Sequence, residues 1–262
     1  MRYVFGSILA ALALYLVACV GLYFAQRSLI YFPQPRRFGA PGSLIQLPVP
    51  GATLDVTVRP DSGPRALIYL GGNAEDVSAS LPQLSDTFPG QALYLLHYRA
   101  YGGSTGKPTE AALFADALAL FDMVQASHPQ VTVIGRSLGS GVAVHLASLR
   151  PVARLVLVTP YDSIAGIAAL QFPWFPVTQI LKDRFDSGVY AASVSAPTTI
   201  VAADNDEIIP RASSQLLLTR FKPGVAHYIN VPQTGHNTIA DSPLYNPSLA
   251  GEAAPQPAMK VN

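Results

Sequence analysis

Val131-Thr132-Val133-Ile134-Gly135-Arg136-Ser137-Leu138-Gly139-Ser140-Gly141-Val142-Ala143 decides how this chain reads. An apolar run enters a glycine-flanked serine, and a run of small residues leaves it. Strand, sharp turn and helix are the expected elements, in the G-x-S-x-G arrangement called a nucleophile elbow. In such a turn the serine takes a strained backbone conformation and presents Oγ above the C-terminal edge of a sheet. Gly135 and Gly139 flank it because side chains there would meet the neighbouring strand and helix. Ser137 is therefore the candidate nucleophile, to be weighed against a plain Gly/Ser turn.

The chain has 262 residues, enough for one α/β domain with a sizeable core. Half of it is hydrophobic and only 13% is charged. The net charge is +1, with no basic run and no basic-aromatic patch, so nucleic acid is not an expected partner. Cys19 is the single cysteine, which excludes an internal disulfide and a cysteine metal cluster. The five histidines make no H-x-x-x-H pair, which argues against zinc. No G-x-x-x-x-G-K-[ST] or G-x-G-x-x-G occurs, and no cofactor is expected.

From Tyr3 to Ala25 no residue is charged. About 20 such residues cross a hydrocarbon core about 30 Å thick, and Tyr3, Tyr23 and Phe24 suit its interfaces. A retained single-pass anchor over residues 1–26 is the expectation, with the membrane as partner. Three alternatives stand beside it: a cleaved secretory signal, against which the length of the apolar run and the lack of a small-x-small cleavage site argue; a lipoprotein signal, because Leu16-Val17-Ala18-Cys19 has the look of a lipobox; and a buried core helix. Arginines on both flanks leave the side of the membrane open. Pro33, Pro35, Gly39, Pro41 and Gly42 predict a helix-free connector over residues 27–43.

Residues 44–245 alternate strand and helix patterns, so a mostly parallel sheet with helices on both faces is expected. Leu44–Leu47 and Thr53–Val58 read as a hairpin pair. Ala66–Leu70, Ala92–Leu96, Val131–Ile134, Leu155–Val158 and Thr199–Ala202 read as buried strands, and His227–Ile229 as the last one. A long helix opens at Glu110, with Leu113, Ala117, Leu120, Phe121 and Val124 on its apolar face. Residues 246–262, rich in Pro and Ala, are expected to be a disordered tail.

A serine nucleophile needs a base, a carboxylate to orient it and donors for the oxyanion, in the chain order Ser, acid, His. Ala203-Asp204-Asn205-Asp206-Glu207-Ile208-Ile209-Pro210 follows a late strand. Three carboxylates compete there, Asp204, Asp206 and Glu207; Asp206 is the chosen acid, because the Ile-Pro pair caps its loop, and Asp204 is the runner-up. His236, in Gly235-His236-Asn237 after the last strand, is the candidate base. His145 reads as packed, His128 as a helix-end residue before Pro129, and His97 as a residue able to line the site. The oxyanion donors are expected to be the backbone N–H of Leu138 and that of Asn73, in the Gly71-Gly72-Asn73 turn after a central strand.

These pieces together resemble the α/β-hydrolase superfamily, and within it the Bem46-like branch of membrane-anchored serine hydrolases. The resemblance rests on Arg27–Pro33, Gly72–Asp76, Tyr98–Gly106, Gly135–Gly141, Lys182–Ser187, Asp206–Pro210 and Gly235–Asn237, in that order. It implies a triad of Ser137, Asp206 and His236. Gly71, His97 and Ala100 depart from the family's usual histidine, aspartate and glycine. The expected fold is thus an α/β-hydrolase domain with a small cap, preceded by one transmembrane helix.

The cap is expected between the fourth parallel strand and Thr199. Its Gln171-Phe172-Pro173-Trp174-Phe175-Pro176 segment either lines an acyl pocket or packs on the sheet. The expected function is hydrolysis of carboxylic esters or thioesters through an acyl-enzyme on Ser137, with a small-molecule or lipid-like acyl substrate. Two alternatives are a catalytically idle membrane-tethered scaffold and a serine aminopeptidase, which would need a cap carboxylate from Asp162, Asp183 or Asp186.

Overall fold

Along Arg65–Leu70 (β3) the side chains of Ala66, Ile68 and Leu70 join one core while those of Leu67 and Tyr69 join another. An unbroken apolar run is what a strand covered on both faces requires. The computed structural model describes residues 2–40 and 42–253. Within them β1 (Leu44–Val49), β2 (Ala52–Arg59), β3, β4 (Ala92–Leu96), β5 (Gln130–Arg136), β6 (Arg154–Val158), β7 (Thr198–Ala203) and β8 (Ala226–Val231) form one sheet. Its order is β1-β2-β4-β3-β5-β6-β7-β8. β1 and β2 are antiparallel; β3 to β8 run parallel. The expected α/β-hydrolase fold is what the chain adopts.

The helices are α1 (Arg2–Ile30), α2 (Leu81–Thr87), α3 (Glu110–Gln125), α4 (Leu138–Leu149), α5 (Ile164–Gln171), α6 (Val177–Ile180), α7 (Ser187–Ala191), α8 (Arg211–Arg220) and α9 (Tyr245–Ala250). α3 and α4 bury their apolar faces in one core, α3 through the residues its pattern assigned. Thr109 caps α3 by accepting from the Ala112 N–H. Leu84 of α2 and Leu249 of α9 join the core on the other face of the sheet.

Tyr3–Ile30 is one helix long and apolar enough to cross a membrane. It runs four residues past the expected end of the anchor, so residues 27–30 are helix rather than connector. The reason is packing: Gln26, Ile30 and Tyr31 are buried against the domain. The expected tail is also corrected in its first part. Residues 246–250 belong to α9, where buried Tyr245 and Leu249 hold the helix on the sheet. Residues 254–262 lie outside the described residues.

Candidate active site

β3, β5, β7 and β8 end on the same edge of the sheet, and each delivers one part of the site. After β5 comes Ser137, with φ +50° and ψ −118°. A non-glycine residue there stores roughly 1–3 kcal/mol of strain that the surroundings must hold. They do so through the Ser137 N–H, bonded to the Val158 carbonyl of β6 at 2.9 Å. The flanking glycines are steric requirements. A Cβ at Gly135 would run into the Gly139 carbonyl and Ala143, and one at Gly139 into the Leu70 and Gly71 carbonyls.

The structure brings Ser137, His236 and Asp206 into one series of contacts. His236 Nε2 is 2.9 Å from Ser137 Oγ, and His236 Nδ1 lies 2.9 and 3.1 Å from the two Asp206 oxygens. All three side chains are nearly buried. With Nδ1–H donating to the carboxylate, Nε2 is the ring nitrogen left to accept the serine proton. Asp206 Oδ1 also accepts the N–H groups of Ile208 and Ile209, which fixes the carboxylate in its turn. Asp204, the alternative acid, points elsewhere: it pairs with Arg211 at 3.1 Å and accepts from Asn230.

Leu138 opens α4, so its N–H has no intrahelical acceptor. The Gly72 N–H is taken by Glu75 Oε2 at 2.8 Å. The Asn73 N–H has no acceptor among the described residues, whereas the Asn73 carbonyl accepts from the Phe32 N–H and the Tyr101 hydroxyl. The Asn73 side chain donates to the carbonyl of Ile30 at the end of α1, 3.0 Å away.

Several residues that support this arrangement were not singled out from sequence. Glu75 accepts from the Tyr69 and Ser80 hydroxyls and from the Arg136 guanidinium as well as from Gly72. Arg136 also donates to the His236 carbonyl at 3.4 Å. Burial opposes the Arg136 charge, but the Glu75 carboxylate beside it leaves the guanidinium more firmly protonated than usual. Burial, reinforced by Glu75, pushes the Tyr69 phenol well up and keeps it a neutral donor. Glu207 accepts the His236 N–H at 3.0 Å, and a Cβ at Gly235 would crowd that carboxylate. The only sequence signal for these residues was their place inside the quoted motifs.

His97 does not line the site: it is buried beside Thr57, with Nε2 2.8 Å from the hydroxyl. His145 packs as expected, stacked on Phe114 with ring centres 3.9 Å apart. His128 bonds the Gly63 carbonyl and the Tyr94 hydroxyl.

Above Ser137 and His236 lies a cavity of about 640 Å³, within the usual range for small-molecule sites. Its walls are mainly apolar and come from α1, α5, α6 and the loop after β7. The cap aromatics do not pack on the sheet. Phe172 lines the cavity, Phe175 stacks on Tyr15 of α1 with centres 5.8 Å apart, and Trp174 is 83% exposed. None of the three cap carboxylates lines the cavity. Asp183 is held by Arg27 and Tyr31, Asp162 by Arg220 and Asp186 by Arg184.

Residues 66–189 match the family model described as alpha/beta hydrolase fold. A protein of Mycobacterium tuberculosis described as uncharacterized is 34% identical over 234 residues, covering 81% of this chain and 80% of its own length. Protein bem46 of Schizosaccharomyces pombe is 26% identical over 261 residues, covering 87% and 86%. Human protein ABHD12B is 28% identical over 209 residues, covering 68% of this chain and 57% of itself. Among solved structures, an esterase of Pyrococcus furiosus superposes with a TM-score of 0.65 at 15% identity, covering 85% of this chain and 96% of its own.

Proposed function

The chain belongs to the α/β-hydrolase superfamily, in its Bem46-like branch, and on that premise we propose that it is a membrane-anchored serine hydrolase of carboxylic esters or thioesters with lipid-like acyl groups. The observation that carries this reading is the hydrogen-bonded series Asp206–His236–Ser137 at a strained serine. Ser137 Oγ attacks the acyl carbonyl carbon as His236 Nε2 takes its proton. The resulting oxyanion is received by the N–H groups of Leu138 and Asn73. The carbonyl re-forms, the bond to the leaving oxygen or sulfur breaks, and His236 returns the proton to it. Water then attacks the acyl-enzyme, His236 takes the water's proton, and Ser137 Oγ leaves with that proton as the acid is released.

The lipid-like acyl group is supported by the apolar cavity next to α1. Anchor rather than cleaved leader or lipidated Cys19 is supported by the bonds that α1 makes to the domain. Cleavage before Cys19 would remove Tyr15, whose hydroxyl donates to the Trp174 carbonyl at 3.0 Å. The test is hydrolysis of p-nitrophenyl esters from acetate to palmitate by the full-length protein in detergent micelles. Cleavage of the longer esters is expected. Cleavage of acetate alone would overturn the lipid-like assignment.

A further inference from the structure

α1 is tied into the domain far more closely than a tether needs. Gln26 is buried; its Nε2 donates to the Ile180 carbonyl at 3.2 Å and its Oε1 accepts the Lys182 N–H at 2.6 Å. Arg27 grips Asp183 with two bonds, at 2.8 and 3.2 Å, and Tyr31 adds a third. The Lys182 ammonium sits 3.9 Å above the Tyr23 ring. The contact reaches Tyr15, which holds the Trp174 carbonyl and stacks on Phe175. Fifteen helical residues separate Tyr15 from Ile30, roughly 22 Å.

This alignment gives the cavity an unusual wall. Leu22, Gln26 and Leu29, at i, i+4 and i+7 on one face of α1, line it together with Ile167, Phe172 and Ile180 from the cap. The cap exposes apolar side chains of its own, Leu170 at 68% and Trp174 at 83%, and at Trp174 and Phe175 it touches Tyr15 of α1. Exposed apolar area of this kind beside a membrane-spanning helix meets lipid rather than water.

We propose that the C-terminal turns of α1 are part of the substrate site, so that the acyl chain of a bilayer lipid ester lies between α1 and the cap while its carbonyl reaches Ser137. This rests on the hydrolase reading above and adds a specificity role for the membrane helix. Leu22 and Leu29 set the length and bulk of chain the cavity accepts.

The experiment uses full-length protein in nanodiscs and p-nitrophenyl esters of two to sixteen carbons. Leu22→Trp and Leu29→Trp should lower kcat/KM for the sixteen-carbon ester at least tenfold and leave the acetate within about twofold. Val20→Trp, on another face of α1, should leave the whole profile unchanged. An unchanged profile in both leucine variants would overturn the proposal. A second measurement separates it from the fate of the hydrolase reading. In the Ser137→Ala protein, a palmitoyl ester carrying a diazirine in mid-chain should crosslink to residues 22–30. Crosslinks confined to other segments would overturn the α1 wall whether or not the wild type hydrolyses esters.

Discussion

The edge of the sheet and the face between α1 and the cap are built by opposite means. At the sheet edge, the carboxylates of Asp206 and Glu75 each take several partners, and four strand ends fix the positions of the site residues. Asp206 holds His236 from two oxygens and is held by two backbone N–H groups; Glu75 alone takes four donors. Between α1 and the cap the surface is mostly apolar, and a few polar ties at Gln26, Arg27 and Tyr31 set the fit. Reaction chemistry demands atoms placed within tenths of an ångström, which networks of hydrogen bonds supply. An acyl chain demands only volume and dryness, which two apolar walls supply.

The largest expected effect lies on the sheet edge. Ser137→Ala should lower ester hydrolysis on the order of 10⁵-fold, because the residues of such a series act as a unit. Asp206→Asn should cost about 10⁴-fold by leaving His236 in the wrong tautomer. Both are read from kcat with a short ester, and both variants should unfold near the wild-type temperature.

Asp183→Asn acts on the other region. It weakens the tie to α1 without touching the sheet edge. Because Arg27 is nearly half exposed, the loss should be only about 1–2 kcal/mol in thermal unfolding, with acetate hydrolysis kept within a fewfold of wild type. Loss of acetate hydrolysis as deep as that of Ser137→Ala would mean that the two regions are not separable.

The sheet edge was the legible part of the chain. Ser137 and Asp206 each follow a strand with a clear apolar run, His236 follows the more mixed last strand, and the three fall at the ends of β5, β7 and β8 on one edge of the sheet. What could not be read is contact between segments far apart in the chain. Gln26 meets Ile180 and Lys182, and Tyr15 meets Trp174 and Phe175, across more than 150 residues, with no periodicity to announce it. The end of α1 was not legible for the same reason: composition marks where apolarity stops, but packing of Gln26 and Ile30 against the domain carries the helix on to Ile30. Likewise α9 lies in a Pro- and Ala-rich stretch, and burial of Tyr245 and Leu249, invisible to composition, orders it.

Smaller effects sharpen the same contrast. Ala100 sits at φ +69°, in the turn where the family usually has glycine. Ala100→Gly should relieve the left-handed strain and stabilise the fold by about 0.5–1 kcal/mol net of glycine's greater freedom when unfolded. Denaturant unfolding would detect it, and a loss of stability would show that the turn is not strained. Burial lowers the affinity of His97 and His145 for protons in the folded state. The unfolded chain takes protons up at about 6.5. Stability is therefore complete above that pH and declines as pH falls below it, since the unfolded state then binds more protons. The unfolding temperature should drop between pH 7.5 and 5.5, and His145→Phe should flatten part of that slope.

Covalent trapping puts Ser137 to the test as the nucleophile. Full-length protein in detergent micelles is incubated with a fluorophosphonate, digested and mapped by mass spectrometry. A single adduct is expected, on Ser137, absent in Ser137→Ala and formed far more slowly in His236→Ala. An adduct on another residue, or none on protein shown to be folded, would contradict it.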